Sequence, residues 1–391
     1  MTAQTPAQTP THQTPAHQTP AQMTARTEPA AGVDSPHAII DVAVAFWKSK
    51  ALLSAVELGI FSELAHTPST CAELCERLGI AGRGAADLLD ALVSLGLLLR
   101  DDGVYRNAPV ADLHLDPRKP ATDISGYLSF LNAGFGCWAG MTEALRSGGR
   151  IDFSAALSAS VSEDHGGAGD PKLVGARAAD DTFGEAYAAP DQVSGFLRAM
   201  TGYSMGANQA VGEKFDWSSA RTVADVGCAE GSLLAQVLSR HPHLEGIGFD
   251  LPVVGGGFDA HLKQVGLTDR ARFAGGDFFA DPLPTADVLV MGHVLHDWDL
   301  DTKKMLIAKA YEALPPGGRL LIYESLIDDD RRERTTGLLI SLNVSTVSVG
   351  GRGYTGAECG EWMRATGFTE VKVSHLDGPE HLVVGVKPDV K

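Results

Sequence analysis

Residues Thr222 to Gly231 read Thr-Val-Ala-Asp-Val-Gly-Cys-Ala-Glu-Gly, an apolar run that ends in a glycine turn, and Asp250 closes a second apolar run 23 residues after Gly227. Gly227 and Gly231 let the backbone turn sharply and approach a ligand, and a helix beginning at Ser232 would aim its free amides into the same crevice. A carboxylate at the tip of the next strand can accept both hydroxyls of a ribose. A glycine pair alone is weak evidence, since many βαβ units need glycine in the first turn. Ala229 breaks the dinucleotide pattern G-x-G-x-x-G, which disfavours a pyrophosphate. A cofactor with a ribose but no phosphate, such as S-adenosylmethionine, fits better.

Gly276-Asp277-Phe278-Phe279 follows a third apolar run. There Asp277 could bond an adenine amine and Phe278 cover its face; the plainer alternative makes the rings core and Asp277 a turn cap. The segment Met291 to Asp299 ends a fourth run and carries His296. A histidine titrates near neutrality and can take a proton from a hydroxyl as its oxygen attacks an electrophilic methyl group. Glu324, at the end of a fifth run, is placed to bond the other imidazole nitrogen and fix the tautomer. His293, three residues before His296, would point elsewhere.

These residues need an open α/β sheet to position them. Strand patterns near 222–227, 245–250, 271–274, 286–292 and 318–324, separated by helical patterns, predict a doubly wound sheet, with two more strands near 370–375 and 381–387. A helix precedes them from Pro190 to about Phe215, and another covers Thr302 to Leu314 before the stop Pro315-Pro316-Gly317-Gly318. Upstream, Ile39 to Leu64 is apolar on nearly every side, more than one core-facing stripe requires, which predicts a homodimer. Thr70 with Glu73 forms a capping box, a short helix ends at Gly79, a second spans Gly84 to Leu95, and Asp102-Gly103 turns a hairpin. This is a winged-helix outline, yet its second helix carries Asp87 and Asp90 and no basic residue, which argues against DNA.

Four units follow: a tail over 1–36 in which Gln-Thr-Pro occurs four times, expected to be disordered and to leave His12 and His17 solvated; a winged-helix-like dimerisation domain over 37–110; a helical linker over 111–189, with helix around Ile124 to Leu145 and a loop-like stretch near 162–182; and the α/β domain over 190–391. The net charge of -17 disfavours nucleic acid and anionic membranes, and no run of 18 apolar residues suggests a span. Five cysteines form no disulfide framework, Cys71 and Cys75 lack companions for zinc, and no secretory pattern opens the chain. No metal and a cytoplasmic location are the expectations.

Asp225-Val-Gly-Cys-Ala-Glu-Gly231, Phe249-Asp-Leu-Pro252, Gly276-Asp-Phe-Phe279, His296-Asp-Trp298 and the Pro315 to Gly318 turn together resemble the S-adenosylmethionine-dependent O-methyltransferases of the plant caffeate and bacterial polyketide type. The resemblance spans about 38–388. It implies a class I methyltransferase domain with a winged-helix-like dimerisation domain, a homodimer, and methyl transfer to a hydroxyl of a small aromatic or polyketide-like metabolite. By position it implies Asp225, Gly227, Asp250, Asp277 and Phe278 as cofactor contacts, His296 as general base and Glu324 as one of its two acidic partners. Met200 resembles the family's methionine beside the reacting centre, with Tyr203, Asn343, Met205 and Trp138 as further acceptor-lining candidates. Three positions depart: Ala229 replaces a glycine, Gly292 replaces a frequent lysine, and Gly353 stands where the second acidic partner usually lies. The last leaves N- or C-methyl transfer open, and a ligand-sensing regulator with a vestigial methyltransferase domain is the alternative from another class.

Overall fold

A computed structural model describes Met1 and residues 35–151, 173–174 and 190–389. The expectations for the tail, and for the loop stretch apart from Leu173–Val174, lie outside the described residues.

The first helix, α1 (Pro36–Glu57), starts where Ser35 accepts the Ala38 N–H and Pro36 occupies the first turn. The apolar stretch expected as one helix is two, because Gly59 takes a left-handed conformation (φ 74°) and turns the chain into α2 (Ile60–His66). After β1 (Ser69–Thr70), α3 (Cys71–Leu78) carries the Thr70/Glu73 capping box and ends at left-handed Gly79. Helix α4 (Ala85–Ser94) leads into the hairpin of β2 (Leu98–Asp101) and β3 (Val104–Asn107), whose turn residues Asp102 and Gly103 both have positive φ. The three strands pair in the order β1-β3-β2. Phe61, Leu74, Leu89, Leu92 and Leu98 fill the core of this unit. Five apolar side chains of α1 stay out of it: Ile39, Ile40, Val42, Phe46 and Trp47 are all more than half exposed.

Past α5 (Pro109–His114), the expected helix around Ile124 to Leu145 is broken in the middle. It forms α6 (Ser125–Ala133), a 3-10 turn over Phe135–Gly140 and α7 (Met141–Ser147), because Gly134, Gly136 and Gly140 weaken helix there. A two-residue strand, β4 (Arg150–Ile151), pairs with β5 (Leu173–Val174). The long helix α8 (Pro190–Lys214) packs closely on α6, where a Cβ on Gly202 would lie 3.1 Å from Tyr127 and 3.2 Å from Ile124.

The large sheet has the order β11-β12-β10-β9-β6-β7-β8. Its parallel strands are β6 (Thr222–Val226), β7 (Glu245–Asp250), β8 (Ala271–Gly275), β9 (Val288–Gly292) and β10 (Arg319–Glu324). Their connecting helices include α9 (Ser232–Arg240), α10 (Gly255–Gln264) and α11 (Leu300–Ala313), the last capped by Asp299, which accepts the Thr302 N–H at 2.8 Å. Helices α12 (Thr335–Val347) and α13 (Gly356–Thr366) precede the antiparallel edge pair β11 (Thr369–Asp377) and β12 (Glu380–Val386). From β6 the chain moves outward to β7 and β8, then returns to the other side of β6 as β9. That reversal creates a crevice at the carboxyl ends of β6 and β9.

Two apolar layers sandwich the sheet, one around Trp217, Leu233 and Phe258, the other around Leu295, Leu306 and Ile307. The first is packed to its limit at Gly248, where a Cβ would sit 2.2 Å from Phe258 and 2.8 Å from Cys228. Gly248→Ala is therefore expected to destabilise the fold by about 1–3 kcal/mol, the cost of overpacking, read as a lower urea midpoint at unchanged slope.

Candidate active site

At the end of β6, Gly227 (φ 79°) and Gly231 (φ 80°) bracket a turn in which Ala229 is also left-handed at φ 45°. An alanine accepts this conformation at some cost, and the turn repays it through one bond: the Ala229 N–H donates to Asp250 Oδ2 at 2.9 Å. The Leu251 N–H takes Oδ1 at 2.8 Å, so the carboxylate is held at both oxygens while it stays partly exposed at the tip of β7. Burial nevertheless pushes Asp250 up to about 6. Asp225 lies deeper in β6, where burial and the Asp250 charge push it up to about 8. A Cβ on Gly227 would lie 2.8 Å from Val294, so the histidine-bearing segment rests directly on the glycine turn.

Asp277 spends one oxygen on the Phe279 N–H at 2.8 Å, the turn-cap geometry, and its own N–H donates to Asp281. Phe278 and Phe279 meet Trp298 edge-on, with centroids 5.6 and 4.9 Å away, forming an aromatic wall whose Phe279 is 49% exposed. The sequence reading passed over Glu230, whose half-buried carboxylate within the turn accepts the Thr201 hydroxyl at 2.9 Å. Its only signal was an acidic side chain between the two glycines.

His296 follows β9 in a short 3-10 turn, Leu295–Asp297, and is 8% exposed. Glu324 holds it twice: Oε2 lies 2.8 Å from Nδ1 and Oε1 accepts the His296 main-chain N–H at 3.1 Å. The opposite nitrogen, Nε2, lies 3.4 Å from Asp297 Oδ1. Burial alone would depress this imidazole, but the charges of Glu324 and Asp297 outweigh it and push it up to about 9. Asp297 went unread as a partner because residues adjacent in sequence meet only if the backbone bends there. The Lys303 ammonium donates to the Trp298 carbonyl and pins that bend.

The acceptor-lining candidates divide. Tyr203 lies against the ring of His293, tilted by 51° with centroids 4.3 Å apart, and Met200 is half-buried one turn earlier on α8. Asn343 is half-buried on α12, which packs against the His296 turn. Met205 is a correction, for it is buried on another face of α8, its sulfur 4.0 Å from the Gln236 amide. Trp138 is 42% exposed. A surface cleft of about 420 Å³ between Lys119–Thr122 and His261–Val265 touches none of the site residues.

Models of two known domains match this chain: the O-methyltransferase domain over residues 155–369 and the O-methyltransferase dimerisation domain over 40–117. The chain belongs to the O-methyltransferase family. Among relatives, the tetracenomycin polyketide synthesis 8-O-methyl transferase TcmO of Streptomyces glaucescens is 43% identical over 92% of this chain and 99% of its own length. The N,N-dimethyltransferase OxyT of Streptomyces rimosus is 34% identical over 93% and 99%. Among solved structures, human N-acetylserotonin methyltransferase in complex with S-adenosylmethionine aligns with a TM-score of 0.77 at 27% identity, covering 91% of this chain and 99% of that one. The protein is thus an S-adenosylmethionine-dependent O-methyltransferase with a class I α/β domain behind a dimerisation domain.

Two departures from the family acquire physical reasons. Gly292 pairs with Tyr323 on β10, and a Cβ there would fall 1.9 Å from the tyrosine ring, so Tyr323 occupies the volume a lysine stem would need. Its hydroxyl donates to Asn208 Oδ1 at 2.5 Å. At Gly353 a Cβ would lie 2.9 Å from Ser341 and 3.1 Å from Ile327, so a carboxylate there would require both to move.

A ribose at the Asp250 cradle, the contact its position implies, would need that carboxylate as a hydrogen-bond acceptor. With its pKa raised to about 6, Asp250 is ionised at neutral pH and gains a proton as pH falls through that value. Affinity for S-adenosylhomocysteine, measured by calorimetry, is expected to fall several-fold between pH 7.5 and 5 through loss of a charge-assisted pair of bonds, and Asp250→Asn is expected to flatten that fall.

Proposed function

We propose that the enzyme methylates a hydroxyl of a small, polyketide-type aromatic metabolite, with His296 as general base. The observation that carries this reading is the double grip of Glu324 on His296, which fixes the ring through Nδ1 and leaves Nε2, 3.4 Å from Asp297 Oδ1, as the nitrogen assigned to the acceptor proton. The relationship to TcmO supports the substrate class.

When bound, S-adenosylmethionine supplies a methyl group already activated on sulfonium. Asp250 is assigned to its ribose, Asp277 and Phe278 to its adenine, and Gly227 to close backbone approach, with Asp225 beneath the turn. Glu230, inside the same turn, suits the ammonium. The larger share of the rate should come from aligning the acceptor oxygen with the methyl carbon and sulfur, with proton removal second. Met200, Tyr203 and Asn343 are assigned to the acceptor side. His296 Nε2 takes the hydroxyl proton, and the Glu324 carboxylate stabilises the imidazolium that results. A pKa of about 9 means that His296 alone is largely protonated at neutral pH, and a neighbouring sulfonium charge pulls it down towards the working range.

The exposed apolar face of α1 is assigned to a homodimer. A DNA-binding regulator is disfavoured because α4 carries two acidic residues, Asp87 and Asp90, and Asp90 is tied to Arg100 and to the Tyr105 hydroxyl at 2.7 Å. Among the described residues no helix is long and apolar enough to cross a membrane.

His296→Ala should lower turnover by about a hundredfold or more while cofactor affinity changes little, measured with labelled cofactor and phenolic acceptors. Wild-type turnover should rise with pH as the imidazole loses its proton, a limb the alanine variant should lack; unchanged turnover in that variant removes His296 from the role. Light scattering should give about twice the 41.1 kDa chain mass, and charging Phe46 and Trp47 together should give monomers; a monomeric wild type refutes the assembly.

A further inference from the structure

Beside His296 lies a second group of buried polar atoms that the chemistry above does not use. His293 holds a left-handed backbone (φ 55°), and its side chain is 5% exposed. Neither of its ring nitrogens has a hydrogen-bond partner among the described residues. Glu380 Oε2, equally unpartnered, lies 3.9 Å from His293 Nε2, while the other carboxylate oxygen accepts the Ser325 hydroxyl. The Tyr203 ring covers His293, and its hydroxyl, near Ser325, makes no well-formed hydrogen bond. Buried polar groups are seldom left unpaired, because each then bears its full desolvation penalty. Several together at the carboxyl edge of the sheet mark a place that a polar ligand group completes.

The character of that group follows from the lining. Burial holds His293 down to about 3, so the ring is neutral and offers one donor and one acceptor. Glu380, pushed up to about 7 by burial, adds either. Such a set suits a neutral hydroxyl or carbonyl. The rings of Tyr203 and Tyr127, with centroids 5.1 Å apart, supply aromatic surface alongside. The imidazoles of His293 and His296 are 6.0 Å apart, so both can reach oxygens carried on one ring or on two fused rings.

We propose that His293 and Glu380, flanked by Tyr203, bind a second oxygen of the acceptor, so that the enzyme selects polyoxygenated aromatics over compounds with a single hydroxyl. This rests on the hydroxyl-acceptor reading above and adds a specificity contact to it. Neither residue takes the reacting proton.

The test compares a dihydroxynaphthalene with naphthol, titrated by calorimetry into protein loaded with S-adenosylhomocysteine, alongside KM and kcat for each. The variants are His293→Asn, since asparagine tolerates the left-handed backbone, and the isosteric Glu380→Gln, which keeps the test open if the first fails to fold. Wild type should prefer the diol by about tenfold or more, and each variant should reduce that preference to about threefold or less, with naphthol affinity and cofactor affinity little changed. An unaltered preference, or equal losses on both acceptors, overturns the proposal and leaves methyl transfer standing. A wild type that methylates neither compound overturns both.

Discussion

One carboxylate holds the His296 loop in place. Glu324 ends the most buried strand of the sheet and takes both the ring and the main-chain N–H of His296. The ring bond fixes a tautomer, and the main-chain bond fixes the loop on which the ring stands. A single side-chain hydrogen bond would leave the imidazole free to swing about its own backbone. Two bonds from one rigid strand remove that freedom, which is the preorganisation that in-line transfer requires.

The glycine turn and the histidine loop are a single construction. Gly227 has no side chain, so Val294 can settle against it, and the glycine-turn end of β6 and the His296-bearing end of β9 come within one residue's breadth. The strand reversal between β6 and β9 makes this possible, since a reversal of strand order opens a crevice at the carboxyl ends of the two strands.

Much of this was legible in the sequence because strand rhythm and glycine turns are local signals. The five parallel strands, the capping box at Thr70 and the hairpin at Asp102-Gly103 all declare themselves within a few residues. Gly59 and the glycines at 134, 136 and 140 were present too, but apolar content ran straight through them and hid the breaks. What stayed hidden depended on neighbours distant in the chain. No spacing rule reveals that the Tyr323 ring fills the place of a side chain at Gly292, or that Ser341 and Ile327 crowd Gly353. Met205 was misjudged by helix phase: three residues separate Met200 from Tyr203 and keep them on a common face, whereas five carry Met205 round to another.

Helix α8 touches both halves of the crevice. Thr201 bonds Glu230 of the glycine turn, Asn208 reaches Ser232 at the start of α9, and between them Tyr203 covers His293. A rod gripped at three points along its length does not yield at one of them alone. A guest at the glycine turn that shifted α8 would alter the wall a second guest meets at His293, and by thermodynamic reciprocity the second would alter the hold on the first by an equal factor.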